Sequence, residues 1–219
     1  MINAIILAAG LSRRMGEQKL LLPYAGRTLI GQVAGQVAAS GVDRIVAVTR
    51  GCNALAGRAA TVAEALAGLG VERLAIVANP DAESDMLSSV RCGLRALPGE
   101  CEGFLVVLGD QPTITAGLIN RMIAAFGESN PAASRAAGRG IVVPAHQHRL
   151  GHPILFAARY RREILAGFEG VGLRGLLAAH AEDILELHEP DPAILTDVDR
   201  PEDYHRALAD LQADPPEAL

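Results

Sequence analysis

Residues Asn3–Pro23 read NAIILAAGLSRRMGEQKLLLP. The run Asn3–Leu7 is short and mostly apolar, the pattern of a central parallel strand buried on both faces. Behind it, Gly10–Lys19 gathers two glycines, a hydroxyl, two arginines and a lysine into ten residues. Small residues let a backbone approach a ligand closely, and its N–H groups can converge on phosphate oxygens. Arg13, Arg14 and Lys19 add positive charge suited to a polyphosphate, with Glu17 the one carboxylate among them. The spacing is not that of a Walker A loop, which has four residues between its glycines and then Gly-Lys-Ser/Thr. Here five residues separate Gly10 from Gly16, and Leu20 follows Lys19. No Gly-x-Gly-x-x-Gly is present either. A plain βα loop with basic residues facing water is the competing reading, and the order Gly, Ser, Arg, Gly, Lys behind a buried strand weighs against it.

Outward from this stretch, apolar runs alternate with Ala/Leu-rich segments. Strands are predicted at Asn3–Leu7, Arg44–Thr49, Leu74–Val77 and Phe104–Leu108, and helices at Leu29–Ala39, Ala54–Leu69, Asp85–Ala96 and Ala116–Phe126. Gly41 and Gly70 stand where a glycine ends a helix. The alternation predicts an α/β fold, a Rossmann-like, mostly parallel, twisted sheet with right-handed crossovers and helices on both faces. After Gly127 the regularity breaks. Ser129–Gly140 reads as a loop, and Ile141–Pro144 and Pro153–Phe156 as short strands around a His-rich turn. Helices follow at Ala157–Ala166 and Leu173–His180, then a strand at Ile184–Leu187. A last helix begins at Pro201, where proline and two acids suit a first turn.

The chain has 219 residues, half of them hydrophobic, and a net charge of −5. That is enough for one well-buried α/β domain. The acidic balance, the absence of Trp and the 3% aromatic content argue against a nucleic-acid partner. No apolar run reaches eighteen residues and no leader pattern opens the chain, so no membrane partner is expected. Cys52, Cys92 and Cys101 show no ligand spacing and read as reduced thiols of a cytoplasmic protein.

Four further groups carry chemistry. Gly109-Asp110-Gln111-Pro112 follows the fourth strand, and ligands of open parallel sheets sit outside the carboxyl ends of the strands. Asp110 can there hold a hard cation beside a phosphate, since Mg²⁺ prefers one or two carboxylates plus phosphate oxygens; the alternative is a turn capping the next helix. Asp197 and Asp199 precede the last helix and, as alternate residues of an extended stretch, point the same way. Both can face one cation, Asp199 first and Asp197 second; the alternative is capping and solvation. Asn79-Pro80-Asp81 and Met86–Val90 bring an amide and hydroxyls to the same edge, groups that read a base or ribose without adding charge. Arg149–Phe156 contains Gly151-His152-Pro153. His146, His148 and His152 do not satisfy zinc spacing well, and no cysteine is near.

The pattern L-A-A-G-x-S-x-R-M-G-x-x-K-x-L-L-P, with these motifs in order, resembles the MobA-like nucleotidyltransferases, most closely the molybdenum cofactor cytidylyltransferases. The resemblance covers most of the chain and departs from the family at Arg200, where threonine is usual. It implies a nucleotide-diphospho-sugar transferase type of fold in one domain, 1–212. A nucleotide-binding half would span about 1–112 and an acceptor-binding half about 113–212, with 213–219 a frayed tail. It implies catalytic roles for Arg13, Lys19 and Asp110, and nucleotide contacts from Leu7, Ala8, Ala9, Gly10, Ser12, Arg13, Lys19, Asn79, Ser89 and Asp110. Asp110, Asp199 and Asp197 would hold Mg²⁺ or Mn²⁺, while Gln111, Gly151, His152 and Pro153 would meet the acceptor. The implied reaction moves CMP from CTP to the terminal phosphate of molybdopterin and releases pyrophosphate, with transient contact with molybdenum enzymes or their chaperones. Ala9 points to CTP, because the family divides between Ala in cytidylyl and Gly in guanylyl enzymes at that place. The alternatives are GTP on the same cofactor, CTP on another phosphorylated small molecule, and a nucleotide-binding protein without catalysis.

Overall fold

The computed structural model describes residues 1–12, 14–50, 61–81, 85–129 and 138–213. Arg13, Cys52, the first part of the helix expected at Ala54–Leu69, most of the loop Ser129–Gly140 and all of the expected frayed tail beyond Ala213, which ends a helix, therefore lie outside the described residues.

The strands are β1 (Ile2–Ala8), β2 (Pro23–Tyr24), β3 (Arg27–Thr28), β4 (Arg44–Arg50), β5 (Leu74–Asn79), β6 (Gly103–Leu108), β7 (Ile141–His146), β8 (Arg149–Leu150), β9 (Ile154–Ala157) and β10 (Ile184–His188). The helices are α1 (Leu29–Ala39), α2 (Val62–Ala67), α3 (Met86–Ala96), α4 (Ala116–Ser129), α5 (Arg161–Ala166), α6 (Leu173–Ala179) and α7 (Pro201–Ala213). One sheet runs β10-β7-β9-β6-β1-β4-β5, with β8 paired to β7. β1 is parallel to both β4 and β6, and β5 is parallel to β4. β1, β4 and β6 are buried nearly end to end, which is why they read as continuous apolar runs. A fully buried Ile or Leu in such strands contributes about 1.5–3 kcal/mol relative to exposure.

Chain direction explains the two helical layers. From β1 through β4 to β5 the chain steps one way along the sheet, and from β5 to β6 it jumps back past β1. Right-handed crossovers then put α1 and α2 on one face and α3 on the other. The reversal leaves a switch point between β1 and β6, whose register places Leu7 beside Leu108. A ligand crevice belongs at such a point.

The mostly parallel sheet contains one reversed strand. β9 is antiparallel to β6 and to β7, wedged between them, with Phe104 and Phe156 stacked at 5.5 Å. The connection from β7 is short and turns through β8, so it cannot make a parallel crossover. Gln147 and His148, both with positive φ, form its tight turn. The small hairpin β2–β3, turning at Ala25–Gly26, was not legible in the sequence; α7 packs on it through Tyr24, Leu29, Val198 and Ala207. Ser40, not Gly41, ends α1, its hydroxyl donating to Val37 O, and α2 ends at Ala67 with Gly68 as its cap, so that Gly70, although at positive φ, lies two residues beyond. The helix expected at Ala157–Ala166 is a 3-10 turn, Ala158–Tyr160, leading into α5. Among the described residues no helix is long and apolar enough to cross a membrane.

Candidate active site

At the carboxyl ends of β1 and β6 the chain brings together its first, middle and last segments. Lys19 opens a 3-10 turn, Lys19–Leu21, tied into the core by buried Leu20 and by Leu21 N–H donating to Gln18 O at 3.0 Å. The loop before it is held by Ser12, whose hydroxyl donates to Gln18 Oε1 at 2.9 Å and accepts from Lys19 N–H at 3.2 Å. Asp110 follows Gly109, which packs so tightly under β1 that an added Cβ would stand 2.7 Å from Leu7 O. Only glycine fits there, and this close approach sets Asp110 beside the loop. Asp199 arrives from the stretch before α7, which is pinned by Val198 N–H donating to Asp110 O at 3.0 Å. Asp203 accepts from the backbone N–H groups of Asp199 and Arg200, so the turn closes although Arg200 has no capping hydroxyl.

The Lys19 ammonium donates to Asp110 Oδ2 and to Asp199 Oδ1, each at 2.7 Å. Arg14 donates to the other Asp199 oxygen at 3.1 Å. Burial works to lower the Lys19 pKa, but the two carboxylates outweigh it and hold the ammonium above its ordinary value. Burial pushes Asp110 up despite Lys19, with Asp197 adding to the rise. Asp199 is held low, first by its hydrogen bond from Lys19. Two hard oxygens thus already surround one cation position, a donor set that suits Mg²⁺. Among the described residues no group of three or more His, Cys, Asp or Glu could hold a metal, so a divalent ion here would take its remaining ligands from phosphate and water.

Asp197 does not join Asp199 on Lys19; with buried Val198 between the two, its partner is Gln111 Nε2 at 2.9 Å. Asn79 is buried, and its amide hydrogens go to Ser88 Oγ at 3.0 Å and Ser89 Oγ at 3.1 Å while its oxygen accepts from Asp81 N–H. In this arrangement Asn79 organises the turn and holds the two serine hydroxyls beside it. Ala8 and Ala9 are buried and Gly10 is exposed with open space around it. Arg13 lies outside the described residues.

A cleft of about 650 Å³ runs from Asp197 and Gln111 past Gly151 and His152 to Arg149, Val171 and Arg174. Gly151 presses against Ile194, where a Cβ would come within 2.5 Å of its carbonyl oxygen, and His152 N–H donates to the same oxygen at 3.1 Å. Burial drives the His152 pKa down to about 4, so the ring is neutral near pH 7. Pro153 follows it into β9. His146 stands apart, its Nδ1 against Glu189 O, so the histidines do not converge. One cleft wall, Gly167–Gly172, is clamped by Arg91 of α3, which donates to Ile164 O, Gly167 O and Glu169 Oε1. Sequence reasoning named Arg14 as a loop cation without assigning it a partner, and missed Arg91 and Arg174. The basic loop signalled Arg14, but nothing in the Ala/Leu-rich pattern around the other two marks them.

The family described as MobA-like NTP transferase domain matches residues 4–184. The chain is 27% identical to the molybdenum cofactor cytidylyltransferase of Escherichia coli, covering 93% of each chain. It is 29% identical to nicotine blue oxidoreductase of Paenarthrobacter nicotinovorans, over 94% of this chain and 96% of that one. The fold is shared with the Rv0371C protein of Mycobacterium tuberculosis, solved as a manganese complex, at a TM-score of 0.69 and 24% identity, covering 95% and 98%.

Proposed function

The chain belongs to the MobA-like NTP transferases, a family of nucleotidyltransferases, and from that premise we propose that it moves CMP from CTP to the terminal phosphate of molybdopterin, releasing pyrophosphate. The observation that carries the reading is the Lys19 ammonium between Asp110 and Asp199 at the β1/β6 switch point, beside the Gly10–Gly16 loop. The likeness to the E. coli cytidylyltransferase over nearly the whole chain supports the acceptor.

The loop backbone and Lys19 receive the triphosphate, and Ser88 and Ser89 stand at the neighbouring strand end to meet ribose or base. Asp110 and Asp199 would hold Mg²⁺ or Mn²⁺, with Asp197 next to them. When bound, that ion neutralises phosphate charge and orients the leaving pyrophosphate. The acceptor's phosphate attacks the α-phosphorus of CTP. A phosphate monoester has its second pKa near about 6, so it is largely a dianion at neutral pH and needs no general base. His152, with a pKa of about 4, is a poor base at that pH, and its place is to contact the acceptor. Catalysis rests on alignment and charge neutralisation. The choice of CTP over GTP rests on Ala9, whose methyl narrows the space at the loop's start. The free thiols of Cys92 and Cys101 accord with work in the cytoplasm.

The test is the purified protein with each of CTP, GTP, ATP and UTP, with and without molybdopterin, followed by product mass. A cytosine dinucleotide formed only with CTP and molybdopterin, together with pyrophosphate, is expected. A guanine dinucleotide formed faster would transfer the reading to GTP. Release of no pyrophosphate with any pair would refute transfer altogether.

A further inference from the structure

The main sheet ends in β10 on one side and β5 on the other, and the two edges are built differently. On β10, Glu186 and His188 are exposed, and Arg139 donates to Ile184 O. Charges of this kind are the usual defence of a strand edge, whose unpaired main-chain groups otherwise invite another strand. β5, Leu74-Ala75-Ile76-Val77-Ala78-Asn79, carries no charge and no proline. Its Ala75 and Ala78 are exposed, and Leu74, Ile76 and Val77 are half-buried. Arg73, just before it, has its guanidinium on the carbonyls of Ala38, Ser40 and Val42. Main-chain groups alternate in direction along a strand. Ile45 N–H donates to Arg73 O, so Arg73, Ala75 and Val77 face β4, while Leu74, Ile76 and Ala78 face outward. Of the outward groups, Leu74 N–H donates to Val71 O at 3.0 Å, and Ala78 O accepts from Cys92 Sγ at 3.6 Å. Among the described residues, Leu74 O, Ile76 N–H, Ile76 O and Ala78 N–H have no partner.

We propose that the β5 edge binds a second copy of this chain, strand against antiparallel strand, about a two-fold axis at Ile76. Outward residues that face each other in such a pair exchange both their hydrogen bonds. Centred on Ile76, the register sets each Ile76 opposite its counterpart and each Leu74 opposite Ala78 of the second copy. The groups already engaged, Leu74 N–H and Ala78 O, then fall opposite each other. Every free outward group finds a mate: Ile76 N–H donates to Ile76 O, and Ala78 N–H to Leu74 O, in both directions. A two-fold at Leu74, Ala75, Val77 or Ala78 instead sets free groups against engaged ones. The side chains agree with the same centre. Ile76 meets Ile76, Leu74 meets Ala78 and Ala75 meets Val77, so apolar faces apolar along the whole strand. The contact is self-complementary and closes as a dimer. Because the strands run antiparallel, the two sites, at the carboxyl ends of their strands, open in opposite directions and neither blocks the other. The pairing does not depend on the proposed transfer.

Sedimentation equilibrium of the purified full chain measures the association, and amide hydrogen exchange followed residue by residue locates it. A dimer in reversible exchange with monomer is expected. As protein concentration rises from mostly monomer to mostly dimer, exchange at Ile76 and Ala78 should slow by roughly tenfold or more, while Glu186 and His188 on β10 should not change. Ile76→Pro removes an outward N–H and leaves the ladder to β4 whole, a substitution that edge strands tolerate; it should weaken dimerisation by roughly tenfold or more in a protein whose circular dichroism is unchanged. Ile76→Lys and Ile76→Glu each set like charges directly opposite and should weaken it comparably. Mixing the Ile76→Lys and Ile76→Glu proteins should restore a dimer with one chain of each, which loss of folding cannot mimic. A monomer at every concentration would overturn the proposal. Fast exchange at Ile76 and Ala78 would then mean a bare edge, and slow exchange an edge covered by the chain itself. A dimer of undiminished affinity in all three variants would overturn it as well, by placing the interface elsewhere. Pyrophosphate release is measured separately on the wild type, so failure of the transfer reading and failure of this pairing are distinguishable.

Discussion

Replacing Lys19 by methionine removes the charge that joins three distant parts of the chain while keeping most of the side chain's volume. The Lys19 side chain is 9% exposed, Asp110 23% and Asp199 43%. Breaking a fully buried ion pair costs about 3–5 kcal/mol. Because water reaches Asp199, screening brings the expected loss here nearer to that of a charged hydrogen bond, about 1.5–3 kcal/mol. The catalytic effect is larger in consequence. A charged contact made mainly in the transition state is worth about 2–4 kcal/mol, or roughly thirty- to thousandfold in turnover. The variant also leaves Asp110 and Asp199 facing each other uncompensated, so a divalent cation gains a position that the ammonium holds in the wild type. Mg²⁺ or Mn²⁺ without nucleotide should therefore raise the melting temperature of Lys19→Met more than that of the wild type, while turnover stays low. The assay is thermal unfolding against metal concentration, beside pyrophosphate release. Near wild-type turnover, or equal stabilisation of both proteins by the metal, would refute the reasoning.

Asp110→Asn should lower turnover and blunt the Mg²⁺ response while changing the melting temperature little, since burial already disfavours this carboxylate's charge; an unstable variant with full specific activity would mean that Asp110 is only a turn residue. Asp199 has a depressed pKa, so its share of stability is present at neutral pH and lost as pH falls through its folded value; urea melts in metal-free buffer should show the gap between wild type and Asp199→Asn shrinking below about pH 4. For His152 the folded form resists a proton that the unfolded chain accepts near pH 6.5, so stability should rise with pH between about 4 and 6.5, by about 3.4 kcal/mol at most, and His152→Gln should flatten that slope. Arg91→Ala frees the Gly167–Gly172 wall and should raise KM for the acceptor several-fold while leaving CTP affinity unchanged, as separate titrations of the two substrates would show. Ala9→Gly should relax the preference for CTP over GTP by about ten- to two-hundredfold without reversing it, measured by competition at equal concentration.

The parts legible in the sequence share a physical cause. β1, β4 and β6 are buried on both faces and stand out as unbroken apolar runs, and α1 spans Leu29–Ala39 as its pattern predicts. Parallel order then brings Ala9, Asn79 and Asp110 to one edge without any coordinates. The reversed direction of β9 was not legible, because Ile-Leu-Phe-Ala has the same composition whichever way it runs; the short β7–β8 connection decides it. At the site, residue types suggested a cation among carboxylates, and the geometry adds that Lys19 itself occupies that position. Asn79 shows the other side of the limit. Its type suggests a reader of base or ribose, but which groups an amide bonds to is set by its neighbours in space, and here Nδ2 is taken up by Ser88 and Ser89.

The placement of Lys19 also explains why the last segment of the chain is part of the site. A loop and a strand end could bind a triphosphate by themselves. With Lys19 and Asp110 alone, an ammonium and a mostly buried carboxylate would pair one to one. Asp199 makes that pair a triplet, and its approach depends on a separate set of contacts: Val198 N–H on Asp110 O, Asp203 closing the turn, and α7 seated on the β2–β3 hairpin with Tyr204 donating to Pro23 O at 2.6 Å. The hairpin in turn leads from Lys19 into α1. The same small apolar cluster therefore ties both ends of the triplet, Lys19 through the hairpin and Asp199 through α7. Loosening it, as Tyr204→Ala would, should displace Asp199 relative to Lys19 without touching either. On the proposed reading turnover is then expected to fall with little change in CTP affinity, because the Gly10–Lys19 loop is held separately by Ser12 and Gln18. Turnover at the wild-type level in a folded Tyr204→Ala protein would mean that Asp199 is positioned by Asp110 and Asp203 alone.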